Sequence, residues 1–236
     1  MKHKEFILKP MSTILEEAIV SCKGVGDGIE TNSLFDYVMQ SIFLKMTGYQ
    51  EQKGKCILWE IATNDFEYRR KFLDSKLGEL STYNDKNNVY KVLRAQIKKH
   101  NSSFRTDILK NEIFKNSFDY VAEVFKETNL MKWKERMYHD FTHLNIIKNN
   151  HFLMNENEMF HEILKKEYGI LYAQRNRLAH NTLSYQQNLP NFDILKSQKG
   201  SEQNYFFWFA ILILIDNIYI ELFKEYIKVL ESDIYY

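Results

Sequence analysis

A short segment from Gln174 to Asn181 contains the residue types that phosphate chemistry without a metal requires. Arg175 supplies a guanidinium that can bind two phosphate oxygens at once, and Asn176 directly follows it. His180 supplies an imidazole that can accept or donate a proton near neutral pH. On a helix, positions five apart lie roughly 140° apart around the axis and about 7.5 Å apart along it. Both side chains therefore reach one groove only if the helix end or a partner subunit supplies the other wall.

The same residues also have a purely structural interpretation. Basic residues are common in the last turn of a helix, where they face the negative end of its dipole, and Asn181 would then cap that helix. The bare spacing of an arginine and a histidine recurs in this chain at Arg94–His100 and Arg136–His143. Neither of those pairs has an amide directly after the arginine, and neither precedes a polar loop and a long apolar helix.

The segment resembles the signature of the HEPN superfamily, in which an R-x4-6-H motif closes a helix of an all-α bundle. Arg175, Asn176 and His180 match the arginine, the polar residue that follows it and the histidine. Ala179 matches the small residue often found before the histidine. The resemblance covers about eight residues and their helical surroundings in the second half of the chain.

This resemblance implies a metal-independent endoribonuclease of the toxin or anti-phage defence type, which needs no cofactor. His180 would act as general acid or base, Arg175 would stabilise the phosphate, and Asn176 would orient the phosphate or His180. The flanking phosphates of the RNA would be bound by Arg177, Asn181, Lys196 and Lys199.

Family members commonly form homodimers in which two motifs face one cleft, and an antitoxin or defence-system protein would be a further partner. In the subset silenced by nucleotidylation, a tyrosine stands two places after the histidine. Thr182 occupies that place here, so we do not expect an antitoxin of that kind.

Two other classes of function stay open on the sequence. The first is a non-catalytic HEPN-like bundle that binds RNA or protein, or dimerises as a scaffold. The second is a metal hydrolase, because His139 and His143 have the helical i, i+4 spacing of zinc ligands. Asp140 stands where such enzymes carry a glutamate base, and a third ligand would have to come from His151, His161 or a distant carboxylate.

The composition favours a packed helical protein of the cytoplasm. The 236 residues include only two prolines and eight glycines, and 44% of them are hydrophobic. A net charge of +1 gives no global attraction to nucleic acid, so RNA binding would need a local basic patch. Cys22 and Cys56 suggest neither a disulfide framework nor a zinc site. The apolar run at 205–215 is shorter than the roughly 18–20 residues of a membrane span, so we expect a helix buried in a bundle.

Helical periodicity without any clear strand pattern predicts an all-α bundle. We expect a HEPN-like bundle over 89–236 and an N-terminal helical extension or accessory layer over 1–80, unless the two form one continuous domain. The polar segment Leu77–Asn88 is the predicted boundary between them. Thr47-Gly48 is predicted to interrupt a helix, and the helix that carries the motif is predicted to begin at Asn155 or Asn157.

Overall fold

The computed structural model describes residues 3–26, 28, 31–73, 78, 80–143, 147–179 and 204–233. Within these ranges the chain is built from α-helices, and its one β-type contact is an isolated bridge between Phe152 and Phe160. The prediction of an all-α helical bundle is confirmed. In chain order the helices are α1 (His3–Leu8), α2 (Ser12–Cys22), α3 (Asn32–Asn64), α4 (Phe66–Leu73), α5 (Tyr83–His100), α6 (Asp107–Phe125), α7 (Asn129–Trp133), α8 (Glu135–His143), α9 (Glu162–Ala179) and α10 (Tyr205–Asp233), with a short 3-10 turn at Asn149–His151.

Helix α10 is the core around which the other helices pack. Every side chain from Tyr205 to Ile215 is buried, as expected for a helix that is apolar on all its faces. Helices α1, α3, α5, α6, α8 and α9 all contact it. By length and composition Tyr205–Ser232 could also cross a membrane, but 83% of its most apolar window is buried inside the bundle.

Helix α3 runs without interruption for 33 residues, so the predicted break at Thr47-Gly48 is wrong. A glycine inside a helix costs only about 1 kcal/mol relative to alanine. The turns on either side of it place Phe43, Met46 and Ile57 fully inside the core. Burial of these side chains outweighs the cost of the glycine and keeps the helix continuous.

Helix α5 begins inside the segment that the sequence predicted to be a turn-rich boundary. Thr82 caps it, because its hydroxyl accepts from the Asp85 amide at 3.2 Å while the Asp85 carboxylate accepts from the Thr82 amide at 3.0 Å. Asn87 is tolerated in the helix because its side chain binds the Met159 amide at 3.0 Å. The polar residues therefore serve as a cap and a tertiary contact.

One hydrophobic core contains residues from both sides of the predicted boundary. Helices α3 and α5 pack against each other, and at Gly54 of α3 an added Cβ would be in van der Waals contact with Val89 of α5 at 3.6 Å. The division into 1–80 and 89–236 stays a prediction, but the two parts share this interface.

The helix that carries the motif begins at Glu162, later than the predicted start at Asn155 or Asn157. The Asn155 side chain accepts from the amides of Asn157 and Glu158 at 2.9 and 2.8 Å. Such a local side-chain contact competes with helix formation and stabilises a turn instead.

Candidate active site at the end of α9

Helix α9 presents its apolar face to the bundle and brings Arg175 and Asn176 of the predicted motif to the edge of the core. Leu164, Tyr168, Leu171 and Gln174 are buried along one stripe, and the helix packs against α3, α5 and α10. The residues that follow this stripe, Arg175 to Arg177, lie near the C-terminal end of α9, which ends at Ala179. Arg175, Asn176 and Arg177 are therefore anchored by a buried helix face.

The Arg175 guanidinium lies at the interface between α9 and α3. Its Nη2 is 3.2 and 3.3 Å from the two carboxylate oxygens of Glu51, and its Nη1 donates to the Asn176 side-chain oxygen at 3.1 Å. The side chains of Arg175 and Glu51 are 17% and 13% exposed. The guanidinium is thus held in one orientation, within reach of solvent, by a carboxylate that would compete with a phosphate.

Asn176 is predicted to orient the phosphate or the histidine, and in the structure it orients Arg175. Arg177 is exposed in the last turn of α9. His180, Asn181, Lys196 and Lys199 lie outside the described residues, so the geometry relating Arg175 to His180 stays a prediction.

A third charged residue, Lys86, completes what we call the Arg175 cluster (Glu51, Lys86 and Arg175). Lys86 lies on α5, is 1% exposed, and its ammonium has no hydrogen-bond partner among the described residues. Burial lowers its pKa to about 7; the carboxylates of Glu51 and Asp85 oppose this shift, whereas the cationic Arg175 and Lys55 reinforce it.

The cluster lies beside two buried tyrosines of the core, Tyr168 and Tyr219. The Tyr219 hydroxyl donates to the Lys86 carbonyl at 2.8 Å, and the Tyr168 hydroxyl donates to the Ser81 carbonyl at 2.9 Å. Burial raises the pKa of Tyr168, and the negative charge of Glu51 raises it further. Charges in such surroundings interact more strongly than charges at the protein surface.

The sequence interpretation missed Lys86 and Glu51. A signal for Lys86 exists, since it lies at helical spacing with the buried residues Tyr83, Tyr90, Leu93 and Ile97 of α5. A lysine inside an apolar stripe indicates a buried amine. Glu51 has no comparable signal, because its partner Arg175 is 124 positions away in the chain.

The two histidines of the alternative zinc site lie together on α8. The rings of His139 and His143 stack with their centroids 4.3 Å apart. Among the residues that the structure describes, no group of three or more histidine, cysteine or acidic side chains is placed to hold a metal ion. The described part of the chain therefore adds no support to the metal hydrolase.

Three basic residues in the second half of α5 are engaged in structural contacts. Arg94 and Lys98 bind the Glu156 carboxylate at 2.9 and 2.7 Å, and Lys99 binds Asp65. These contacts tie the turn before α9 and the start of α4 to α5, so these three side chains are less available to RNA than their charge suggests.

Comparison of the chain with protein-family models, with characterised proteins and with solved structures gives no match. The candidate function therefore depends on the residues at the end of α9 and on their contacts.

Proposed function

We propose that this chain is a metal-independent endoribonuclease whose active site includes the end of α9. The observation that carries the proposal is the partly exposed guanidinium of Arg175, which Asn176 and Glu51 hold at the edge of the core. A fixed cation of this kind is suited to bind a phosphate and to stabilise charge that develops during its reaction. The resemblance of Arg175, Asn176 and His180 to the HEPN signature supports the same chemistry.

In the proposed reaction the 2′-hydroxyl of the RNA attacks the adjacent phosphorus. A bond forms between the 2′-oxygen and phosphorus, the bond from phosphorus to the 5′-oxygen breaks, and the products are a 2′,3′-cyclic phosphate and a 5′-hydroxyl. His180 would transfer a proton as general acid or base. Arg175 would stabilise the additional negative charge on the pentacoordinate phosphorus.

The proposal includes the cellular setting that the resemblance implies. The protein would act on RNA in the cytoplasm as a toxin or anti-phage nuclease, and a homodimer would supply the second wall of the cleft. Arg177, Asn181, Lys196 and Lys199 would bind flanking phosphates. An antitoxin or another defence-system protein would restrain or trigger the activity.

A second candidate is a non-catalytic bundle of the same kind that binds RNA or protein. The pairing of Arg175 with Glu51 favours this candidate, because a guanidinium already paired with a carboxylate can have a structural role. The two candidates differ in whether substitution at position 175 abolishes a reaction or only weakens binding.

The test is RNA cleavage by the wild type and by single variants, with EDTA present throughout. We expect Arg175→Ala and His180→Ala to lower the cleavage rate by roughly 100-fold or more, the usual loss for groups of these types. Arg70→Ala and His139→Ala replace exposed residues of the same types and should cleave like the wild type.

Equal cleavage by all five proteins would place the activity elsewhere and overturn the assignment of the site. Folded wild type that binds RNA without cleaving it would overturn the nuclease in favour of the binding module.

A further inference from the structure

The Arg175 cluster contains more positive than negative charge. Arg175 is paired with the Glu51 carboxylate, and the charge of that carboxylate also acts on the unpaired ammonium of Lys86. The other charges that act on Lys86 are Asp85 and Lys55, which are opposite in sign. With Lys86 protonated, the group therefore carries one net positive charge in an environment that disfavours uncompensated charge.

The distribution of contacts within the cluster is uneven. Both carboxylate oxygens of Glu51 face the Arg175 guanidinium, whereas the Lys86 ammonium has no hydrogen-bond partner among the described residues although it is buried. A buried ammonium without a partner is unfavourable. Lys86 would therefore accept Glu51 as a partner whenever Arg175 released it.

An RNA phosphodiester carries the one negative charge that the cluster lacks. When it binds Arg175, it replaces Glu51 as the counter-ion of the guanidinium and repels the Glu51 carboxylate. The nearby ammonium of Lys86 is the alternative partner for that carboxylate. Both cations then have an anion, and the charges of the cluster balance.

We propose that Glu51 is a movable counter-ion that pairs with Arg175 in the free protein and with Lys86 when a phosphate occupies Arg175. Lys86 is then a positioning residue, since it acts on the phosphate only through Glu51. This inference rests on the proposed function in one respect, namely that the anion at Arg175 is a phosphate of RNA.

The test is a double-mutant cycle in which affinity is measured with a fluorescent oligonucleotide that carries 2′-O-methyl groups and cannot be cleaved. Glu51→Gln removes the competing charge, so we expect binding about tenfold tighter, which is equivalent to about 1.4 kcal/mol. Lys86→Met removes the alternative partner, so Glu51 stays on Arg175 and binding should weaken about tenfold. In the double variant, Lys86→Met should have no further effect.

Lys91→Met is the matched control, because Lys91 is an exposed lysine on the same helix, and it should bind like the wild type. Melting temperatures of all variants establish that each one is folded. A merely structural role for Lys86, or its direct contact with the phosphate, would make Lys86→Met weaken binding equally with and without Glu51→Gln. That result would overturn the inference, as would unchanged affinity in both single variants.

The cleavage assay keeps this inference separate from the proposed function. Coupling between Glu51 and Lys86 without RNA cleavage would support the counter-ion exchange and contradict the nuclease. Cleavage that depends on Arg175 and His180 without any such coupling would support the nuclease and contradict the exchange.

Discussion

Two buried lysines of this bundle have opposite surroundings. Lys53 on α3 is fully buried, with its ammonium 2.6 Å from the Asp216 carboxylate of α10 and 2.8 Å from the Lys9 carbonyl. The second oxygen of Asp216 accepts from the Met11 amide at 2.8 Å. Lys86 on α5 is buried to the same degree but has no hydrogen-bond partner within the described structure.

This difference indicates that Lys53 belongs to a structural ion pair, whereas Lys86 is available for a function. Lys53 and Asp216 join α3, α10 and the connection between α1 and α2, and each finds a partner for its charge. Lys86 instead lies beside a carboxylate that is engaged elsewhere, and it gains nothing comparable. Groups that are left unsatisfied in an otherwise consistent fold are typical of functional sites.

Removal of the charge of Asp216 should have the largest effect on stability. In Asp216→Asn the Lys53 ammonium stays buried without its counter-charge, so we expect the free energy of unfolding to fall by about 3–5 kcal/mol. Urea denaturation at pH 7 measures this loss. Glu221→Gln on the same helix removes a pair with Lys224 that is partly exposed and should change the free energy by less than about 1 kcal/mol. An equally small change in Asp216→Asn would contradict a structural role for the buried pair.

Replacement of Lys86 by methionine should change the free energy of unfolding in the opposite direction and stabilise the protein. Methionine keeps a similar shape and removes an amine that is buried without a partner, so Lys86→Met should raise the free energy of unfolding at pH 7 by about 1–4 kcal/mol. The same urea experiment measures the gain, and Lys91→Met should leave stability nearly unchanged. A loss of stability similar to that of Asp216→Asn would show that Lys86 has a satisfied structural partner.

The wild type and Lys86→Met should also differ in how their stability depends on pH, and this effect is the smallest of the three. The pKa of Lys86 falls from 10.5 to about 7 on folding, so between these values the unfolded chain binds a proton that the folded chain does not retain. The unfavourable contribution of Lys86 is complete below pH 7 and disappears as the pH rises towards 10.5. Stability should therefore rise with pH in this window, by up to about 1.4 kcal/mol per unit.

This rise should be absent, or clearly smaller, in Lys86→Met. The measurement compares the urea midpoints of the two proteins between about pH 7.5 and 9, a range that lies below the pKa of ordinary tyrosines. Other titrating groups affect both proteins alike and cancel in the difference. Parallel pH profiles would mean that Lys86 keeps its ordinary pKa in the folded chain.

Much of the fold could be predicted from local sequence patterns. The apolar run after Tyr205 identified the central helix, and helical periodicity with few prolines identified the all-α class. Two of the mistakes share one cause, because Gly48 and Asn87 are unfavourable in a helix by local propensity alone. Their helices form because distant parts of the chain bury or bind the residues around them.

The candidate site was predictable only in part for the same reason. Arg175 and Asn176 are recognisable from their order and their place near a helix end, and the structure brings their side chains together. The pairing with Glu51 and the proximity of Lys86 depend on the packing of α9 against α3 and α5. Neither contact is encoded in the local spacing of residues.

The measurement that tests the central claim most directly compares two oligonucleotides of one sequence, incubated with the wild type in EDTA. One is RNA, and the other has hydrogen in place of every 2′-hydroxyl. We expect cleavage of the RNA alone, with 2′,3′-cyclic phosphate and 5′-hydroxyl ends on the products. Cleavage of both oligonucleotides, or products with 3′-hydroxyl ends, would contradict attack by the 2′-hydroxyl and with it the chemistry assigned to Arg175 and His180.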